Sequence, residues 1–393
     1  MENLSTNELI DQEKLSFDRF REEVLKDYRT ACESREASLL GRKEVLTGKA
    51  KFGIFGDGKE VPQVAMAKFF RPGDFYAGYY RDQTFAFATG TATIEEFFSQ
   101  LYADPDIHND PHSAGRQMNS HFATPFVGED GETLDLINRK NLTAGLAPTA
   151  AQMPRALGLA YASKAFREVD QLKPLTDLSN NGNEVCFCTI GDASTSEGHF
   201  FETINAAGVL QVPLAIFVWD DGYGISVPRK YQTTKGSISE ALKGFQKEEG
   251  TNGIEIYRVK AWDYAGMCEA FEAGIRAIRL THTPVVFHVE EVTQPQGHST
   301  SGSHERYKSP ERLEWEREWD GIKKMKEWII DNELAGEEEL DDVETSAKES
   351  VRHSKNIAWE KYRNPSSARW PARWSSSVIW WNTFPTRVRR WRN

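Results

Sequence analysis

The chain has 393 residues and a formal charge of −11, with 48 basic against 59 acidic side chains, a balance that argues against nucleic acid or an anionic membrane as the main partner. Hydrophobic residues make up 39%, enough for a packed core and against wholesale disorder. The longest apolar run, Val212–Trp219, falls far short of the ~20 residues of a membrane span, and four scattered cysteines without a CxxC pair argue for reduced thiols rather than a disulfide framework or zinc site.

Residues 1–50 read as a helical extension. They are charged, nearly free of Gly and Pro, and space Phe17, Phe20, Val24 and Tyr28 close to a 3.6 period. Glu2, Glu8, Asp11 and Glu13 near the start do not match a secretory or transit peptide, so a cytoplasmic location is expected. From about residue 51 glycine and aromatics become frequent, and short apolar runs alternate with helical ones.

The spacing predicts a strand over Glu184–Ile190, a helix over Ser196–Gln211 and a strand over Leu214–Trp219. It then predicts a strand over Ile254–Val259, a helix over Tyr264–Leu280 and a strand over Pro284–Val289. This rhythm implies an α/β fold, a mostly parallel sheet flanked by helices in a three-layer sandwich. Ligands in such sheets gather beyond the carboxyl ends of the strands, which places Asp192, Asp221 and the loop after Val289 on one rim. Ser309-Pro310 marks a helix start and Asp320 caps another. The acidic stretch Asp331–Asp342 reads as a solvated linker or helix start. Ser366–Asn393 has five of the eleven tryptophans and six arginines, with no lysine and no acid. It shows no periodicity and reads as an out-of-frame or cloning-scar segment rather than native structure.

Gly191-Asp192-Ala193, then 26 residues, then Asp220-Asp221-Gly222-Tyr223 has the logic of a diphosphate–magnesium site. Magnesium wants about six hard oxygens and bridges protein carboxylates to phosphate. Asp192 and Asp221 can each supply one oxygen and the Tyr223 carbonyl a third. A helix opening near Ser194–Ser196 would aim free N–H groups at the anion. Taken singly, Gly-Asp and Asp-Asp-Gly are ordinary turns after strands; framed by strand, helix and strand they favour the metal.

These residues resemble the thiamine diphosphate motif, Gly-Asp-Gly followed by Asn-Asn. The text from about 50 to 365 resembles the alpha subunit of the decarboxylating component of 2-oxo acid dehydrogenase complexes, the branched-chain type more than the pyruvate type. The likeness includes Tyr79-Tyr80-Arg81, Gly115-Arg116-Gln117-Met118 with His121, Gln152-Met153-Pro154, and His298-Ser299-Thr300-Ser301. It implies a thiamine diphosphate-binding domain over 51–305 with C-terminal helices over 306–365. It also implies thiamine diphosphate and Mg2+ as cofactors. The metal falls to Asp192, Asp221 and the Tyr223 carbonyl. Tyr80 and Arg81 contact the cofactor, Arg81 at the diphosphate, where a planar fork donates two bonds. Ala193 and Ser194 offer backbone N–H groups, and Ile225 packs on the aminopyrimidine. His298 is the active-site histidine, an acid–base group titrating near neutrality.

The implied reaction is oxidative decarboxylation of a small 2-oxo acid, with the acyl group passed to a lipoyl carrier on an acyltransferase component. Tyr79 and Tyr80 suit a small or branched aliphatic substrate. The resemblance also implies a beta-type subunit or fused C-terminal half that brings the activating glutamate, so this chain is expected to be an incomplete half of a shared site within a heterotetramer-type assembly. Three departures stand out. Asp-Asp replaces Asn-Asn, Trp219 stands where branched-chain relatives carry a phosphate-binding arginine, and Ala147, Thr149 and Ala151 replace the Ser, Leu and Thr of a potassium site. Two alternatives follow: another transketolase-like enzyme, or a non-catalytic scaffold without cofactor.

Overall fold

The computed structural model describes residues 16–364; the acidic start and the Trp-rich tail lie outside the described residues. Ser16 caps helix α1 (Phe17–Leu46), its side chain accepting from the Arg19 amide. The predicted stripe turns inward only from Val24 and Tyr28, which are buried; Phe17 and Phe20 are 60% and 40% exposed. Next come α2 (Glu60–Ala67), β1 (Phe75–Ala77), α3 (Gln83–Thr89), α4 (Ile94–Leu101), β2 (Asn141–Leu142) and α5 (Gln152–Glu168). The α4 helix starts on a reciprocal cap, in which Thr93 and Glu96 each bond the other's backbone amide.

The second half follows the predicted order: β3 (Cys186–Gly191), α6 (Gly198–Leu210) and β4 (Leu214–Trp219). A short hairpin comes next, β5 (Tyr223–Gly224) with β6 (Val227–Pro228), then α7 (Ile238–Ala241), β7 (Glu255–Lys260), α8 (Tyr264–Thr281) and β8 (Val285–Glu290). Ser309 and Asp320 cap α9 (Pro310–Glu318) and α10 (Gly321–Asp331) as their sequence signals require. Of the acidic stretch, Asn332–Gly336 is the connection, and α11 (Glu337–Arg363) begins within it.

Among the described residues the main sheet has order β2-β1-β3-β4-β8-β7 and every pairing in it is parallel. Successive side chains of a strand alternate faces, and the core divides accordingly. Phe187, Phe217, Trp219 and Phe287 pack with α1, α2, α8, α10 and α11. Cys186, Cys188, Ile190, Ile216 and Val218 pack on the other face with Met153 and Ala156 of α5 and Phe200 and Ile204 of α6. The fold is an α/β three-layer sandwich. With both faces covered, the central strands are near-continuous apolar runs, the pattern that made β3, β4 and β8 legible. Register pairs Gly191 with Trp219 and Trp219 with Val289, so Asp192, Asp220 and the loop after β8 leave the sheet at one level.

Candidate cofactor site

Asp192 follows β3 directly and opens the turn Ala193–Ser196 that leads into α6. It is buried, and its Oδ2 has no hydrogen-bond partner among the described residues. Burial first, then the Asp221 and Asp220 charges, hold its carboxyl group well above the usual carboxylate range. Such a group is costly to keep in a folded protein without a cation. Ala193 and Ser194 sit half-buried at the start of the same turn.

Asp220 and Asp221 leave β4 side by side but face different partners. Asp220 is buried between the Arg229 guanidinium and His288, whose Nε2 lies 2.9 Å from Oδ2. Those two partners outweigh burial and hold its carboxyl below the usual range, the His288 bond first among them. Asp221 directs Oδ2 to the Lys59 ammonium at 3.2 Å, while Oδ1 accepts from the Tyr223 amide at 3.1 Å. The loop is pinned from outside by Arg312, whose Nη2 donates to the Asp221 carbonyl at 2.8 Å. Gly222 between them has φ +82°, a left-handed turn that glycine adopts without steric cost.

Tyr223 lies in β5, and the β5–β6 connection is the two-residue turn Ile225-Ser226. Turns of this length favour Gly or Asn where φ is positive. Ile225 nevertheless adopts φ +59° and leaves its side chain 60% exposed.

On the opposite side, after β1, Tyr79 and Arg81 are buried and Tyr80 is half-buried. Arg81 donates through Nη1 to the Phe55 carbonyl (2.8 Å) and through Nη2 to the His298 carbonyl (2.8 Å) and His298 Nδ1 (2.9 Å). Arginine can only donate, so Nδ1 of His298 is an acceptor and Nε2 carries the proton. Burial, then the Arg81 charge, push the His298 imidazole down to about 4. His298 is therefore neutral at physiological pH and offers an N–H, rather than titrating near neutrality as the sequence suggested.

His121 has the opposite tautomer. Its Nδ1 faces the Met118 and Asn119 carbonyls at 3.1 and 3.3 Å, so Nδ1 donates and Nε2 is a bare acceptor, buried and unpartnered among the described residues. Its ring stacks 6.3 Å from that of Tyr80. Burial lowers its proton affinity. In the sequence His121 only closes the run Gly115-Arg116-Gln117-Met118-Asn119-Ser120-His121; its place beside Tyr80 and its bare Nε2 emerge only in three dimensions.

Trp219 is not on the rim. Its indole is fully buried in the core and donates to Asp82 at 3.0 Å. Asp82 also accepts from the Tyr79 amide, Gln63, Tyr76 and Thr189. The aromatic residue thus supports the Tyr79–Arg81 turn from behind. Lys59 was also missed, because Asp57-Gly58-Lys59-Glu60 reads as an ordinary charged turn. Ala147 and Thr149 are exposed ahead of α5.

The site therefore brings together Arg81, His298, Lys59, Asp192 and Asp221 at the carboxyl end of the sheet. Among the described residues no three His, Cys, Asp or Glu side chains converge into a self-sufficient metal cage. A cation held by Asp192 and Asp221 needs further oxygens from a bound phosphate, and the unpartnered Asp192 oxygen fits that requirement.

A family model described as Dehydrogenase E1 component matches residues 32–366. The chain is 25% identical over 349 residues to the 2-oxoisovalerate dehydrogenase subunit alpha, mitochondrial, of Mus musculus, covering 88% of this chain and 70% of that protein. It is 26% identical over 318 residues to the Arabidopsis thaliana 2-oxoisovalerate dehydrogenase subunit alpha 1, mitochondrial, covering 80% of this chain and 59% of that protein. It is also 26% identical over 206 residues to the pyruvate dehydrogenase E1 component subunit alpha of Rickettsia bellii (strain RML369-C), covering 52% of this chain and 56% of that protein. The chain belongs to the dehydrogenase E1 component family. Within it, the chain stands with the alpha components of 2-oxo acid dehydrogenases.

Proposed function

We propose that this chain is the module that holds the cofactor diphosphate in a thiamine diphosphate-dependent 2-oxo acid decarboxylase that passes its acyl group to a lipoyl carrier. The observation that carries this reading is the buried Asp192 carboxylate with an unpartnered oxygen, beside Asp221. A divalent cation and phosphate oxygens complete what the protein leaves open. Asp192, Asp221 and the Tyr223 carbonyl hold Mg2+. Ala193 and Ser194 face the diphosphate with Arg81, and Tyr80 flanks it. Ile225, exposed and in a strained turn, is the apolar support for the cofactor ring.

When bound, the cofactor supplies the electron sink for loss of carbon dioxide. The chain's own contribution is a donor and an acceptor of fixed sense. The His298 Nε2–H stabilises negative charge developing on a substrate oxygen, and the His121 Nε2 lone pair receives a hydrogen bond from the other side. Tyr79 and Tyr80 favour a small or branched aliphatic 2-oxo acid.

A beta-type partner is part of the proposal. Phe201 and Val209 of α6, Tyr161 of α5, and Ile225, Val227 and Tyr231 beyond β4 are large apolar side chains left exposed. Apolar surface on and around α5, α6 and the site hairpin suits burial by a second module. Titrating thiamine diphosphate with Mg2+ into the full chain, alone and with a beta-type partner, tests the reading. Saturable, metal-dependent binding is expected; no heat at millimolar ligand in either case overturns it.

A further inference from the structure

The Asp-Asp departure adds negative charge beside a diphosphate, and the structure shows where that charge is met. Lys59 immediately precedes α2 and is 1% exposed. Its ammonium has two partners, Asp221 Oδ2 at 3.2 Å and Gln294 Oε1 at 3.0 Å. The approach depends on Gly58, which has φ +86°; a Cβ there would lie 1.9 Å from the Thr293 carbonyl oxygen. The backbone before α2 is thereby pressed against the loop after β8, with Lys59 aimed under the carboxyl end of β4.

The three carboxylates of the site are consequently not equivalent. Asp220 is matched by Arg229 and His288. Asp221 is matched by Lys59. Asp192 has no ion-pair partner among the described residues, and its Oδ2 has no hydrogen-bond partner there either. A buried aspartate–lysine pair has the net charge of the asparagine that the motif would otherwise carry, yet keeps a carboxylate oxygen for a metal.

We infer that Lys59 is a positioning residue of the metal–diphosphate site, the counter-charge that lets an aspartate occupy the second ligand position. This rests on the proposed function, since it presumes an anionic, metal-bound cofactor there. Breaking a buried pair from one side leaves a lone charge, whereas removing both charges leaves none. The effects of Lys59 and Asp221 on binding are therefore strongly non-additive.

The test is a double-mutant cycle on the full chain, using Lys59→Met, Asp221→Asn and the double variant. Thermal unfolding is read without ligand, and Mg2+–thiamine diphosphate affinity by calorimetry. Lys59→Met is expected to lower the midpoint and weaken binding at least tenfold. The double variant is expected to recover the midpoint and bind within about threefold of the wild type. A double variant as weak as Lys59→Met, or a Lys59→Met variant that binds like wild type, overturns the inference. If Lys59→Met fails to fold, a folded double variant supports the pair and an unfolded one refutes it. If the wild type does not bind even with a beta-type partner present, the proposed function fails, while the ligand-free cycle still decides whether the two charges are coupled.

Discussion

Asp82 and Asp192 are both buried carboxylates at the carboxyl end of the sheet, and they differ in how their oxygens are used. Asp82 collects five donors: the Tyr79 amide, the Gln63 amide group, the Trp219 indole and the hydroxyls of Tyr76 and Thr189. Asp192 keeps an oxygen with no partner among the described residues. Burial raises the proton affinity of both. For Asp82 the hydrogen bonds are the next influences and oppose it; for Asp192 the next influences are two more carboxylates, which reinforce it. A buried carboxylate whose hydrogen bonds are saturated is architecture. One left open among like charges is the position we propose for a cation.

The largest effect expected from this contrast is that of Asp82→Ala. It strips five donors of their acceptor in a dry core, at about 1–3 kcal/mol for each group left unsatisfied. The total is limited by relaxation, and a loss of roughly 3–5 kcal/mol is expected, the scale for breaking a buried polar network. Chemical denaturation measures it. A loss under 1 kcal/mol would mean that the Asp82 bonds do not hold the Tyr79–Arg81 turn.

Asp192→Asn is predicted to do the reverse. The charge it removes has no compensating cation, so the unfolding midpoint should stay level or rise. Metal-dependent thiamine diphosphate binding should weaken by about 100-fold or more, roughly 2.7 kcal/mol. An Asp192→Asn protein that loses stability yet binds cofactor normally would place Asp192 with Asp82, as architecture.

The contrast explains what was legible in the sequence. The strands β3, β4 and β8 were readable because strands covered on both faces become continuous apolar runs with turn residues at their ends. The caps Ser309 and Asp320 were readable because a capping side chain acts within three residues of itself. The rim positions of Asp192 and Asp221 followed from strand ends. Charge pairing was not legible. Lys59 meets Asp221 across 162 positions and Trp219 meets Asp82 across 137, and no local pattern encodes such partners. The same limit hid the structural role of Trp219, whose indole faces the core and props the turn that carries Arg81.

Trp219→Phe isolates that prop. The ring still fills the core, but Asp82 loses one donor. A hydrogen bond to a charged group contributes about 1.5–3 kcal/mol, and the low end is expected because four donors remain. Cofactor affinity should fall only slightly. A large loss of affinity with unchanged stability would return position 219 to the binding surface.

His298 extends the comparison to pH. Its folded proton affinity is depressed, to about 4, while the unfolded chain titrates near 6.5. Between those values the unfolded state binds more protons, so stability rises with pH there. The contribution is full above about 6.5 and is lost as pH falls toward 4. His298→Asn should flatten that part of the stability–pH curve. An unchanged slope would show that burial and the Arg81 charge do not hold the imidazole neutral.

The smallest effect is expected at Ile225. A β-branched residue in the left-handed region costs of order 1–2 kcal/mol, and the hairpin turn it occupies is one that glycine or asparagine would fill without that cost. Ile225→Asn should therefore stabilise the ligand-free chain by about 1 kcal/mol, a rise in midpoint of about 2 °C. Under the proposed function the same change also removes the apolar support for the cofactor ring, so affinity should fall severalfold. The two shifts have opposite signs, which separates them from a general loosening of the loop. If Ile225→Asn lowers the midpoint, the turn stores no strain, and Ile225 belongs with the saturated, structural part of the rim.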